Sequence, residues 1–307
     1  MGLNKTSQAI ETPRPQSSSA PKVICREILA NDAKGVIQLL DKDFSSARDK
    51  SFWEMAFERM STHRAPPGYP QFGYILEADG VPVGIILLIF TEIDNDEDSA
   101  YIQCSVSSWY VEPQFRSFGT LLMSFALKHK HVTYFNLTPA PHTWKILAAQ
   151  GYRRFSDGRV TSIPMLSNNA WGCRVEHASK ASMHSSGLSQ FELDLLKIHA
   201  DYGCLSLICT SPDGSRPPSV FSVRRRLGVI RFGFLVYRRD VDNFVKFAGA
   251  LGRYLLFRGI SLVIVDAQDR VPGLVGRYSA VNPKYYKGPR APWLGDMPFS
   301  DRAMFGV

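Results

Sequence analysis

No stretch of this chain is apolar for long enough to cross a bilayer. The longest such run, Val81 to Phe90, has ten residues, about half of what a transmembrane helix needs. No charged leader, apolar core and small-residue cleavage site stand in order at the front, so a cytoplasmic protein is expected. Cysteine is scarce too. Five in 307 residues is an odd number without paired spacing, which excludes a disulfide framework and points to a reducing compartment. Cysteine and histidine nowhere show zinc-site spacing, since Cys204 and Cys209 fall within or beside one strand.

What is present is ordinary in bulk and uneven in detail. Hydrophobic content of 45% and charged content of 21% describe a globular protein with a sizeable core. The length suggests about two domains. A net charge of +8 is concentrated in Arg153-Arg154, Arg224-Arg225-Arg226 and Arg238-Arg239. These could attract a polyanionic ligand or an acidic acceptor, but each reads more simply as a solvated strand end. Aromatics near the triplet follow strand period, so nucleic acid is not an expected partner. Residues 1–21, with Pro13, Pro15 and Ser17-Ser18-Ser19, are expected to be a disordered tail. Met1 to Thr6 matches the short N-myristoylation pattern.

The most informative segment is Trp109-Tyr110-Val111-Glu112-Pro113-Gln114-Phe115-Arg116-Ser117-Phe118-Gly119-Thr120-Leu121. An apolar strand ends in Val-x-Pro, meets Arg-x-x-Gly and runs into a helix expected over Leu121 to Lys130. A strand feeding a helix across such a turn leaves the first helical amides unpaired at the positive end of the helix dipole. That is an anion site suited to a pyrophosphate. Gly119 permits close approach of backbone to ligand, and Arg116 adds a cation that can fork onto a phosphate. A β-rich run, Val132 to Leu137, is the expected parallel strand. Pro139-Ala140-Pro141 follows, then a helix from Thr143 to Gln150 closed by Gly151-Tyr152.

This order resembles the acyl-CoA-binding motifs of the GNAT acetyltransferase superfamily, Arg-x-x-Gly-x-Gly/Ala followed by a second helix ending in Gly-aromatic. Arg116 and Gly119 match, and Leu121 stands where the family has Gly or Ala. The resemblance covers residues 22–166 and implies an α/β fold with a mixed sheet. It also implies acetyl-CoA or another acyl-CoA held by Tyr110, Val111, Arg116, Ser117, Phe118, Gly119, Thr120 and Leu121. Upstream elements fit: a strand at Val23 to Leu29, helices at Ala33 to Phe44 and Ser51 to Met60, and a hairpin across Ala78-Asp79-Gly80.

Residues 190–307 repeat the element order helix, hairpin, long strand, helix, strand, ending in a C-terminal stretch whose aromatics imply that it wraps back. The arrangement resembles tandem GNAT proteins with a degenerate second half. Its junction Tyr237-Arg238-Arg239-Asp240 has no glycine, so no second cofactor is expected. Residues 167–189 read as a linker.

Transfer of an acyl group from a thioester needs a proton acceptor, donors for the carbonyl oxygen and accommodation of the thiolate. The family often uses a Glu on the motif strand and a Tyr in the second helix. Here the strand offers Gln103, Cys104, Ser105, Ser107 and Ser108, and the tyrosine position holds Leu147. His142 as a proton relay and Ser105 as a water holder are the remaining candidates. The expected function is acyl-CoA-dependent acylation of an amine or hydroxyl on a small molecule, peptide or amino sugar. The alternatives are a noncatalytic acyl-CoA-binding scaffold and a Fem-type aminoacyl transferase.

Overall fold

The computed structural model describes residues 21–44, 48–94, 100–167, 170–179, 187–226, 230–295 and 297–306. The myristoylation pattern and residues 1–20 of the expected tail lie outside the described residues. The chain opens with β1 (Val23–Glu27), α1 (Ala33–Phe44) and α2 (Lys50–Thr62). A hairpin follows, β2 (Gly73–Ala78) and β3 (Val81–Ile93), turning at Asp79 and Gly80 with φ of 49° and 81°. That left-handed pair is what Asp-Gly supplies at low cost. The apolar run of β3 divides by period two. Ile85, Leu87 and Ile89 enter a core with α1 and α2, while Ile86, Leu88 and Phe90 enter a second core on the opposite face. An unbroken apolar run thus encodes a strand covered on both faces.

Next come β4 (Tyr101–Val111), α3 (Gly119–Ala126), β5 (Thr133–Asn136), α4 (Trp144–Ala149), β6 (Arg153–Ser156) and β7 (Gly158–Ser162). The α3 helix stops short of the expected Lys130, because Lys128 to His131 hold no apolar residue to bury. α4 ends as expected, with Gly151 at φ 82° and the Tyr152 amide donating to the Leu147 carbonyl at 3.0 Å.

The second half contains β8 (Arg174–His177), α5 (Gln190–Asp201), β9 (Leu205–Thr210), β10 (Pro218–Arg226) and β11 (Ile230–Arg238). It continues through α6 (Val241–Leu256), β12 (Ile260–Ala267), β13 (Gly276–Ser279), β14 (Lys284–Lys287) and α7 (Asp301–Met304).

These strands form two seven-stranded mixed sheets, ordered β1-β2-β3-β4-β5-β14-β6 and β13-β7-β12-β11-β10-β9-β8. Each has one parallel pair, β4 with β5 and β11 with β12, joined by a helix. The element repeat read from the sequence is therefore a repeat of topology, each half carrying a hairpin, a long strand, a helix and a parallel strand in that order.

Two expectations about boundaries change. β7, expected in the first unit, pairs with β12 and β13 of the second sheet, while β14 inserts between β5 and β6 of the first. The segment 167–189, expected as a linker, contains β8, paired antiparallel with β9. Four- and five-residue strands carry too little periodicity to announce which sheet they join, and that choice is made by distant partners.

The C-terminal segment does wrap back. Phe299, Met304 and Phe305 fill the α1–α2 core, while Ala303 packs with α5 in the second half. Arg302 and Lys284 converge on Asp266 at the join between the sheets. Burial opposes ionisation of Asp266, but the two cations outweigh it and hold its carboxyl below the ordinary range. The basic clusters serve structure as well: Arg153 and Arg154 stack on Tyr286 and Tyr285, and Arg239 pairs with Glu192 at 2.6 Å.

Candidate functional site

β4 and β5 are paired only from Gln103 to Ser105 against Thr133 to Phe135, and then they part. Ser108 sits at φ 27°, where the register of β4 against β3 shifts between Ile86 and Leu87. Such a bulge bends the strand and re-aims the side chains beyond it. The wedge between the parted strands is a cavity of about 170 Å³. Its walls include Ser107, Ser108 and Trp109 from β4, and Thr138, Pro139 and His142 from the segment after β5. Arg48 from the α1–α2 connection and Asp301 from α7 complete it.

Beyond the wedge lies an open cleft of about 430 Å³, lined by Trp109, Tyr110, Val111, Arg116, Gly119, His142, Thr143 and Ile146. Trp109, His142 and Thr143 line both spaces. The cleft and the cavity are therefore neighbouring chambers with a common wall.

Tyr110, Val111, Arg116 and Gly119 meet on the cleft as the motif implied. The turn carrying Arg116 is a 3-10 segment, Pro113–Phe118, that runs directly into α3: the Gly119 amide donates to the Arg116 carbonyl, and no side chain caps the helix. A β-carbon on Gly119 would meet Trp109 Cζ2 at 3.6 Å and nothing nearer, so the fold itself does not demand glycine there. Ser117 and Thr120 are exposed beside the cleft and do not line it. Phe118 and Leu121 pack into the core under β4. Leu121, the departure from the family's Gly or Ala, thus points away from the cleft and does not crowd it.

His142 is exposed and lines both chambers. Ser105 is placed elsewhere. It is buried where β4 and β5 still pair, its hydroxyl meets no partner among the described residues, and it lines neither chamber. Cys104 is fully buried, and burial holds its thiol protonated well above the usual range. Leu147, at the family's tyrosine position, is a buried apolar wall of the wedge.

Two charged residues of the wedge had no signal in the sequence reading. Asp301 is 3% exposed, accepts from Thr138 Oγ1 at 2.7 Å and from the Arg302 amide at 2.8 Å. Arg48 is half-buried, and burial lowers its pKa while the charge of Asp301 raises it. The carboxylate missing from the motif strand is thus supplied from the far end of the chain. Only a Ser300 N-cap marks α7 in sequence, and nothing local says where it docks.

No protein-family model matches the chain, and no curated protein does. Solved structures match at the level of fold. A protein of unknown function from Enterococcus faecalis, described as a probable N-acyltransferase, superposes with TM-score 0.58 at 12% identity, covering 90% of this chain and 73% of that one. A GCN5-related N-acetyltransferase from Kribbella flavida gives TM-score 0.54 at 13% identity, covering 87% and 71%. The chain has the GNAT fold. A GCN5-related glucosamine N-acetyltransferase region of a fungal multi-domain β-N-acetylglucosaminidase gives TM-score 0.54 at 12% identity, covering 90% of this chain and 39% of that one. The wedge between β4 and β5 and the cleft beside α3 are therefore features of a GNAT-fold first half. Among the described residues no helix is long and apolar enough to cross a membrane, and no group of acidic, histidine or cysteine side chains could hold a metal.

Proposed function

We propose that this chain transfers an acyl group from acyl-CoA, acetyl-CoA in the simplest case, to the amine of a small acceptor in the cytoplasm. The observation that carries this reading is the common wall of Trp109, His142 and Thr143 between a motif-lined cleft and a charged wedge. The residues present fit an acyl-CoA. Arg116 and the glycine that opens α3, both lining the cleft, suit a pyrophosphate. The indole N–H of Trp109, buried and without an acceptor among the described residues, suits a carbonyl oxygen.

When bound, acyl-CoA would supply the thioester, an activated acyl group. The chain's own part is to hold the acceptor nitrogen at the common wall and to manage one proton. In the transfer the acyl group would undergo, a carbon–nitrogen bond would replace the carbon–sulfur bond, and the proton lost by the amine nitrogen would end on the sulfur. Asp301 is placed to take that proton inside the wedge, and His142, lining both chambers, to pass one to the sulfur. Holding the two reactants together contributes as well, up to roughly 7–11 kcal/mol in well-oriented systems.

The second half contributes Asp301 and offers no equivalent cofactor turn. The Asp240 carboxylate caps α6, accepting from the Asn243 amide at 2.6 Å, so an anion already occupies that helix end. Calorimetric titration with acetyl-CoA should saturate at one molecule per chain, and a thiol assay should show CoA release that depends on added amine. Saturation at two would show a live second site. Binding without amine-dependent release from any acceptor would leave a noncatalytic acyl-CoA-binding protein.

A further inference from the structure

We propose that the acceptor is a small zwitterion of the amino-acid type, its ammonium read by Asp301 and its carboxylate by Arg48. This rests on the acyl-transfer reading above and names the substrate class of the same wedge.

The Arg48 guanidinium lies over the rings of Phe52, Trp53 and Phe44, with Cζ 5.0, 5.4 and 5.9 Å from their centroids. Stacking of this kind fixes the guanidinium while leaving its fork of N–H donors available at the edge. Among the described residues that fork makes no hydrogen bond and no ion pair, although it lines the wedge. Arginine cannot shed its proton under ordinary conditions, so half-buried in an aromatic cage it is a standing cation without an anion.

Asp301 offers the complementary charge on another wall. Each of its oxygens accepts one bond, from Thr138 and from the Arg302 amide, which leaves lone pairs for a further donor. The two charged groups feel each other, yet no ion pair within 4.0 Å joins them. A cavity of about 170 Å³ has both on its walls. A simple amine filling it would satisfy Asp301 and strand Arg48, and a simple anion would do the reverse. A molecule carrying both charges satisfies both, and buried ionic groups favour full pairing.

The polarity of binding follows from the fold. Asp301 is anchored on Thr138, in the connection that also carries His142, so the ammonium end lies toward the common wall, where it gives one proton through Asp301 to solvent before the free amine attacks. Arg48 stands with α1 and α2. Val106, Met123 and Leu147 give the wedge an apolar lining for an acceptor side chain.

The test presents the full chain with acetyl-CoA and matched acceptors: L-tyrosine against tyramine, L-histidine against histamine, L-leucine against isoamylamine, with glucosamine as an amine lacking a carboxylate. At least one amino acid should be acetylated with kcat/KM about tenfold or more above its decarboxylated partner and above glucosamine, the scale of a lost charge-assisted hydrogen bond. Arg48→Met should raise KM for that amino acid about tenfold and erase the preference, while the partner amine's KM falls, since it no longer strands a cation. Arg48→Lys should restore part of it. Calorimetry of the same amino acid without acetyl-CoA should show the same loss of affinity in Arg48→Met. Intact acetyl-CoA binding with equal turnover of both members of every pair, better turnover of glucosamine, or turnover of none overturns the zwitterion proposal alone. Absence of acetyl-CoA binding overturns the acyl-transfer reading beneath it.

Discussion

Arg116 and Gly119 both line the cleft, and in the proposed cofactor site they would act in different ways. Arg116 is exposed and would reach an acyl-CoA through charge, so its contribution would be open to screening by salt. Arg116→Glu should weaken acetyl-CoA binding about tenfold or more in calorimetry, and less at high ionic strength. Gly119 matters through absence of bulk. Its added β-carbon has room against Trp109 at 3.6 Å, so Gly119→Val should fold and still lose affinity about tenfold or more, because its branches enter the cleft. Equal affinity in both folded variants would remove the cofactor assignment. These two positions were legible in sequence because their chemistry is local: four consecutive residues set a turn, a cation and a helix start. Ser105 was a candidate by residue type alone, and the pairing of β4 with β5 puts it below the point where the wedge opens.

At the scale of elements, α3 and α6 occupy corresponding places in the two halves and differ at one end. α3 begins without a side-chain cap, while α6 begins under the carboxylate of Asp240. An N-cap contributes about 1 kcal/mol to a helix; α3 has in its place the preceding 3-10 turn, whose Arg116 carbonyl accepts from the Gly119 amide. α6 has a different constraint at Gly252. A β-carbon there would lie 2.1 Å from the Met165 amide nitrogen and 2.6 Å from Met165 Cα and the Pro164 carbonyl carbon. Helix propensity alone favours alanine by about 1 kcal/mol. Backbone overlap should dominate, so Gly252→Ala is expected to destabilise the protein by about 1–3 kcal/mol or more in chemical denaturation. A gain in stability would mean that the Pro164–Leu166 turn can back away from the helix. The helix pattern of α6 was plain in sequence, but its tight contact with a turn nearly ninety residues earlier was not, since periodicity reports which face is buried and never against what.

The whole molecule is held by exchange. β7 and β14 each complete the sheet of the other half, and α7 is packed into both. Two histidines stand at this join, His63 half-buried and His199 fully buried. His63 Nε2 donates to the Phe90 carbonyl at 3.0 Å, His199 lies between the Leu195 and Pro298 carbonyls, and the ring of Phe299 packs against both. Burial pushes both imidazoles below their ordinary range; the carbonyls oppose this and are outweighed. The fold therefore favours neutral rings. Above about pH 6.5 both folded and unfolded chains hold them neutral, and stability is unaffected. As pH falls through about 6.5 the unfolded chain takes up protons that the fold refuses, so stability declines. The thermal midpoint should fall between pH 7.5 and 5.5, with a shallower decline in His63→Gln. A flat profile would show that the join accommodates imidazolium.

The sequence by itself determined the α/β class, the repeated element order, the motif turn and the return of the C-terminal aromatics to the body. Each is encoded by neighbours within a few turns of chain: period two in β3, Asp-Gly between β2 and β3, Arg-x-x-Gly before α3. Tertiary structure alone decided which sheet takes β7, β8 and β14, and which charges line the wedge. Arg48 and Asp301 are separated by most of the chain, and each looks like a surface residue in its own segment. They become a site only because β4 and β5 part, α7 docks beside Thr138, and burial makes an unsatisfied charge costly. Local pattern carries no record of such meetings, for their energy arises from burial and pairing between segments that do not adjoin in sequence.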